Sequence, residues 1–331
     1  MRQIAVCLTA ALFAAALAPA AAADTTVKFG TFIPPNSVVM RVACKPWMDA
    51  VERDTAGRVK FQLFLGGSLS RAPEKQYELL LNGVQDATVV LPSYTQALFP
   101  DFSLLSLPYL VNGAEEASVA TWRMVASGLL TGLDNVHIVT AFTNSNSAVN
   151  LNKKIASADQ LKGLKIRVAG PEESAIVKTI GATPVGMGIG QVAESLNRGV
   201  IDGALAGWSA LNTFKIVPLI KIHYDEPYGV RTFFLALSKP VFQSLSAADK
   251  AIVTKHGGEA LARQTGKATD DEDRVLIEKV KDNILRPSAA ERPAREKLFQ
   301  AFHEEWIAEQ KDGRKKYDAA RKILADIRAG R

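Results

Sequence analysis

The stretch LKGLKIRVAGPEES, Leu161 to Ser174, decides the reading of the whole chain. Its centre alternates with the period of a β-strand: Leu164, Ile166 and Val168 share one face, and Lys165 and Arg167 share the other. Gly170-Pro171 ends the strand, and Glu172-Glu173-Ser174 has the composition of a first helical turn. An arginine therefore stands near the carboxyl end of a strand, just before a strand-to-helix turn. Two readings follow from the pattern alone. Arg167 is an exposed strand residue facing water, or it is an anion ligand outside the carboxyl end of a sheet, where open α/β sheets bind their ligands.

Outward from this stretch the order continues. ESAIVKTIG reads as a helix, ATPVGM as a strand, GQVAESLNRG as a helix and VIDGALAG as a strand. Strands and helices in alternation point to a mostly parallel sheet. The same order stands upstream. VKFGTFI (Val27 to Ile33) is a strand, Asn36 or Ser37 caps a helix running to about Asp54, RVKFQLFL is a second strand, APEKQYELLLNG a helix and DATVVL a third strand. A helix follows around Glu115 to Leu130, then the strand VHIVTAF. IKIHYD and VRTFFLAL are late strands that could cross between the two units, and from Ala247 onward the chain is nearly all helical. In the basic run KDGRKKYDAARK and beyond, Tyr317, Ala320, Leu324 and Ile327 recur at helical spacing as a dry face.

The 331 residues suffice for two domains. Residues 1–23 have the layout of a secretory signal: Arg2, an apolar run from Ile4 to Pro19, then Ala20 to Ala23. Cleavage after Ala23 would start the mature chain at Asp24, in a bacterial periplasm. No later apolar run approaches the roughly 20 residues that span a bilayer. The mature chain keeps one cysteine, Cys44, which excludes an internal disulfide and is expected to be buried and inert. Net charge is +6, but acids are mixed into the basic runs, which argues against nucleic acid. There is no Gly-x-Ser-x-Gly elbow and no Walker loop, and GMGIGQ (Gly186 to Gln191) falls short of a dinucleotide fingerprint. His137, His223, His256 and His303 lie far apart, so neither a metal site nor a cofactor is expected.

LKGLKIRVAG, IGATPVGM and LNRGVIDGALAGW in series resemble the DctP-type substrate-binding proteins of tripartite ATP-independent periplasmic (TRAP) transporters. FGTFIPPNS, AGRVKFQLFLGGSL, LLNGVQDATVV and FPDFSLLSLPYLV are similar to the family's first half, so the likeness covers most of the mature chain. The resemblance implies a two-domain α/β periplasmic binding protein with the ligand cleft between domains. Residues 24–145 with 232–272 would form one domain, and 146–231 with 273–331 the other. It implies a monomeric, non-enzymatic receptor that captures an organic acid and hands it to a small and a large TRAP membrane subunit. A secreted α/β enzyme or a ligand-sensing protein acting on a carboxylate is the alternative.

The same resemblance gives Arg167 the role of salt-bridging the ligand carboxylate, and a guanidinium fork suits that role. Tyr94 matches a pocket position, with Ser93 beside it and Phe32 after the first strand. Ile189 completes the expected set on the second domain. The chain also departs from the family pattern. Ser147 stands where many members carry a second arginine, with Asn146 beside it. Gln191-Val192-Ala193 replaces Glu-Val-Tyr, and Leu205 and Ala206 replace a Glu and an Asn. Trp208 and Phe233 are either aromatic pocket walls or core. These departures lead to the expectation of an apolar, aromatic monocarboxylate, with a branched aliphatic 2-oxo acid as second choice. Lys165 or Arg231 would have to supply polar contacts if a more polar acid binds.

Overall fold

The computed structural model describes residues 24–331; the expected signal over 1–23 lies outside the described residues. The first sheet is built from β1 (Thr25–Gly30), β2 (Val59–Phe64), β3 (Ala87–Val90) and β4 (Val136–Thr143). Helices α1 (Lys45–Asp54), α2 (Gln76–Leu81) and α3 (Ala114–Ala126) connect them. A π-helical turn, Val39–Cys44, leads into α1, and the Ser37 hydroxyl accepts a hydrogen bond from Met40 N at its start. The second sheet begins at β5 (Ser147–Leu151). It continues through β6 (Lys165–Val168), α4 (Pro171–Thr179), β7 (Thr183–Gly186), α5 (Val192–Asn197), β8 (Gly203–Gly207), α6 (Trp208–Thr213) and β9 (Ile222–Tyr224). The chain then returns to the first sheet as β10 (Thr232–Ser238). It closes with α7 (Lys239–Ser244), α8 (Ala247–Lys255), α9 (Gly258–Lys279), β11 (Ile284–Leu285), α10 (Arg292–Glu309) and α11 (Gly313–Arg328).

Strand order is β2-β1-β3-β10-β4 in the first sheet and β11-β9-β5-β8-β6-β7 in the second. β10 runs antiparallel between β3 and β4, so the late strands do cross between the two units. β10 also shows what its alternation buries. Phe234 and Ala236 enter one core with Phe99, Phe102, Met124 and Trp306, while Leu235 and Leu237 enter another with Trp47, Met48 and Val51. A strand with both faces covered needs apolar residues at every position, which TFFLAL supplies. At the crossover, Gly229 has a φ of +77°, and a Cβ there would lie 1.9 Å from the Ser106 carbonyl oxygen, so only glycine fits.

The carboxyl-terminal segment is shared between the sheets, where the sequence suggested that all of 273–331 belonged to the second domain. β11 pairs with β9, and Phe299 of α10 packs in the second core. Trp306, Tyr317, Ala320 and Leu324, however, pack in the first core against α3. Apolar spacing predicts that these residues share a dry face; it carries no information on which domain covers that face. Lys316 Nζ bonds the buried Asp101 carboxylate at 2.5 Å and fixes the end of the chain to the first domain. Cys44 is fully buried, and burial pushes its thiol pKa far up, as expected for an inert cysteine.

Candidate functional site

A cavity of about 80 Å³ lies between the two sheets, lined by both domains. Arg167 reaches it from the carboxyl end of β6, a strand held centrally by β7 and β8. Its side chain is 3% exposed, so the water-facing reading is wrong. Nε donates to Met187 O at 3.0 Å, Nη1 to Leu205 O at 3.4 Å and Nη2 to the Tyr94 hydroxyl at 2.6 Å. A guanidinium has five N–H groups. Three are used, which leaves one on each terminal nitrogen, the pair that grips a carboxylate in parallel. All three partners are neutral, and no carboxylate pairs with Arg167 among the described residues. The Tyr94 oxygen also accepts from Ile189 N at 3.1 Å, so its own proton remains to be donated. Burial raises the Tyr94 pKa despite the nearby Arg167 charge, which keeps the phenol neutral and a donor.

A second guanidinium lines the same cavity. Arg231, at the entry to β10, is 4% exposed. Its Nε donates to Glu173 of α4, and Nη1 donates to Val230 O at 2.7 Å and to Glu172 at 3.4 Å. Burial works against the Arg231 charge, but Glu173 and Glu172 outweigh it and raise its pKa. Burial raises the Glu172 pKa against the pull of Arg231. The other walls are mainly apolar: Phe32, Leu91, Ala206, Phe214 and Phe233. No histidine or cysteine lines the cavity, so the hydroxyls of Ser37, Ser209, Thr143 and Thr213 have no imidazole there to activate them. The arrangement suits holding an anion with an apolar body.

The model of the bacterial extracellular solute-binding protein family 7, DctP, matches residues 29–311. The chain belongs to this family. A C4-dicarboxylate-binding periplasmic protein DctP of Rhodobacter capsulatus is 24% identical over 89% of this chain and 90% of its own length. A TRAP solute-binding protein of Rhodoferax ferrireducens, solved with copurified benzoate, is 27% identical and superposes with a TM-score of 0.83 over 91% of this chain and 98% of that one. A marine metagenome TRAP solute-binding protein, solved with 3-hydroxybenzoate, has the same fold at a TM-score of 0.86 and 24% identity, covering 92% and 99%.

In this family 7 protein the residues expected at the site divide. Arg167, Tyr94, Phe32, Ile189 and Phe233 meet at the cavity. Phe233 also stacks on Phe142, centroids 5.6 Å apart. Asn146 and Trp208 do not meet them; both line a second, larger cavity of about 580 Å³. Asn146 Nδ2 donates to Val111 O, and Trp208 is 3% exposed, packed over His223 in the core. Ser147 is buried in β5 opposite Gly207 and is not in the lining of the Arg167 cavity. Ser93 borders a separate small pocket. For Ser147 the reason is β5 itself: residues 147–151 are buried on both faces, so the side chains of this strand meet other core residues rather than the cleft. Asn144, Glu173 and Arg231 were not in the expected set. Glu173 looked like a helix-start acid, and Arg231 was named only as a source of polar contacts should a more polar acid bind.

The domains touch beside Arg167. A Cβ on Gly170, which follows β6, would lie 2.2 Å from the Ser93 carbonyl oxygen of the other domain. Its φ of −159° suits any residue, so the close approach alone requires glycine. Gly170→Ala is expected to leave each domain intact and to hold the cleft ajar, weakening ligand affinity about tenfold or more, since water then reaches the charged contact. Calorimetry checks it; unchanged affinity with unchanged thermal stability would show that closure does not pass through this contact.

The second cavity contains Asp273 of α9, 3% exposed, its carboxyl pKa pushed up to about 7 by burial. The native state therefore holds a proton that the unfolded chain releases near pH 4, and stability falls as pH rises from about 4 to 7. Asp273→Asn is expected to remove this slope and to be more stable than the parent at pH 8 by a few kcal/mol, about 2–4. Thermal melts of both proteins at pH 5 and pH 8 test it. Equal pH dependence would mean that Asp273 is charged and solvated in the folded protein.

Proposed function

We propose that the protein captures an aromatic monocarboxylate in the cleft and delivers it, as a periplasmic monomer, to the membrane subunits of a TRAP permease. One observation carries the reading: Arg167 is a buried cation bound only to neutral acceptors, in a cavity whose other cation, Arg231, is already paired with carboxylates. A buried charge without a counter-ion is costly, and a ligand carboxylate on the two remaining N–H groups removes that cost. The aromatic body packs against Phe32 and Phe233, where burial and edge or offset ring contacts contribute roughly 0.5–1.5 kcal/mol per pair beyond area. The benzoate held by the Rhodoferax ferrireducens relative is of this class. Export with cleavage between Ala23 and Asp24 places the mature chain in the periplasm.

A thermal-shift panel tests the ligand class, because a ligand that binds only the native state raises the melting temperature. Benzoate and phenylpyruvate are expected to raise it by several degrees at millimolar concentration, and succinate and a hexuronate are expected to leave it in place. A shift with succinate or the hexuronate, and none with any arylcarboxylate, would overturn the proposal.

A further inference from the structure

Arg231 has a part in the cavity that its ion pairs do not account for. Nε and Nη1 are taken by Glu173, Glu172 and Val230 O, but Nη2 has no partner among the described residues. Beside it stands Asn144, which also lines the cavity. The Asn144 side-chain oxygen accepts from Arg231 N at 2.6 Å, which turns its Nδ2 the other way; Nδ2 makes no hydrogen bond among the described residues, and a Cβ on Gly207 would lie 2.7 Å from it. Arg231 and Asn144 thus both line the cavity, and each keeps a donor unused among the described residues. Their charge setting differs from that of Arg167. Arg231 is already compensated by carboxylates, and Glu173, 1% exposed, also borders the cavity. A second ligand carboxylate placed here would face Glu173 at short range and be repelled. A neutral oxygen would not, and it gives an unpaired donor the partner a buried polar group requires.

We propose that Arg231 and Asn144 form a second polar subsite that accepts a neutral hydroxyl or oxo oxygen of the ligand, so that the preferred ligand is a hydroxy- or oxo-substituted arylcarboxylate. Arg167 reads the charge, and the Arg231–Asn144 pair reads the substituent. The inference rests on the proposed function, since it assumes that Arg167 holds an arylcarboxylate. Glu173 acts here as a positioning residue: it orients the Arg231 fork and balances its charge, so that the charged donor favours a neutral oxygen over a second carboxylate.

The test is a set of calorimetric titrations in matched pairs: benzoate against 3-hydroxybenzoate, and phenylacetate against mandelate and phenylglyoxylate. The readout is the affinity ratio within a pair. In the wild-type protein at least one substituted acid is expected to bind about 10- to 100-fold more tightly than its parent, the worth of a hydrogen bond to a charged donor. In Asn144→Leu and in Arg231→Lys, which keeps a cation for Glu173, that ratio is expected to fall toward one. Should Arg231→Lys fail to fold, Asn144→Leu decides. If arylcarboxylates bind but no substituted acid is preferred, or if the preference persists in the folded variants, the second subsite is wrong and the proposed function stands. If no arylcarboxylate binds at all, both fall.

Discussion

Arg167→Ala is expected to abolish binding of every carboxylate ligand while the protein stays folded. Removing one partner of a buried, charge-assisted pair costs about 2–5 kcal/mol, or roughly 30- to several-thousand-fold in affinity. The fold tolerates the change because nothing charged is left behind: Met187 O, Leu205 O and the Tyr94 hydroxyl each lose a donor, and all three are neutral. Arg167→Lys keeps the charge and loses the fork. A lysine ammonium cannot reach Met187 O and Tyr94 while presenting two parallel N–H groups to a ligand, so it too is expected to bind poorly. Calorimetry on both variants, with circular dichroism as the check on folding, measures this. Near wild-type affinity in both would remove Arg167 from the site.

The largest effect on stability is expected at Glu173. Its carboxylate is buried, accepts from Arg231 Nε, and also accepts from Ala169 N at the end of the strand that carries Arg167. Glu173→Ala leaves the buried Arg231 with the weaker Glu172 contact at 3.4 Å and strips the Ala169 amide of its acceptor. Breaking a buried pair from one side costs about 3–5 kcal/mol. For a chain of this size that corresponds to a fall in melting temperature of roughly 5–8 °C. The same substitution should weaken ligand binding, because the Arg231 fork and the end of β6 lose their common anchor. A melting temperature within a degree or two of the wild type would show that Glu172 alone suffices to hold Arg231.

What the sequence made legible follows from how far apart the interacting residues are. β1, β2, β6 and β10 announce themselves by local patterns, and the structure places the ends of each within three residues of the expected ones. β5 does not: in SAVNL every position is buried, so no alternation marks it, and its polar Asn150 is buried to bond β8 carbonyls. Ser147 was expected in the cleft because the resemblance puts a second arginine at its position; its burial in β5 is what the local pattern does not show. Lys165 and Arg167 share a strand face, yet Lys165 is exposed and Arg167 is not, because only the carboxyl end of β6 faces the other domain. Periodicity cannot show that difference; the likeness to DctP-type proteins singled out Arg167. The Arg231–Glu173 pair joins residues 58 apart in sequence, and Arg231–Asn144 joins residues 87 apart. Such pairings are set by the crossover of β10 between domains, which no local window contains.

The proposed function requires that Arg167 anchor the carboxylate of an aromatic acid in the cleft. A crystal structure of the protein with bound benzoate tests it most directly. The expected result is both carboxylate oxygens on Arg167 Nη1 and Nη2 at about 2.7–2.9 Å, the Tyr94 hydroxyl donating to one of them, and the ring lying between Phe32 and Phe233. A benzoate whose carboxylate sits on Arg231, or outside this cavity with Arg167 still bound only to Met187, Leu205 and Tyr94, would contradict it.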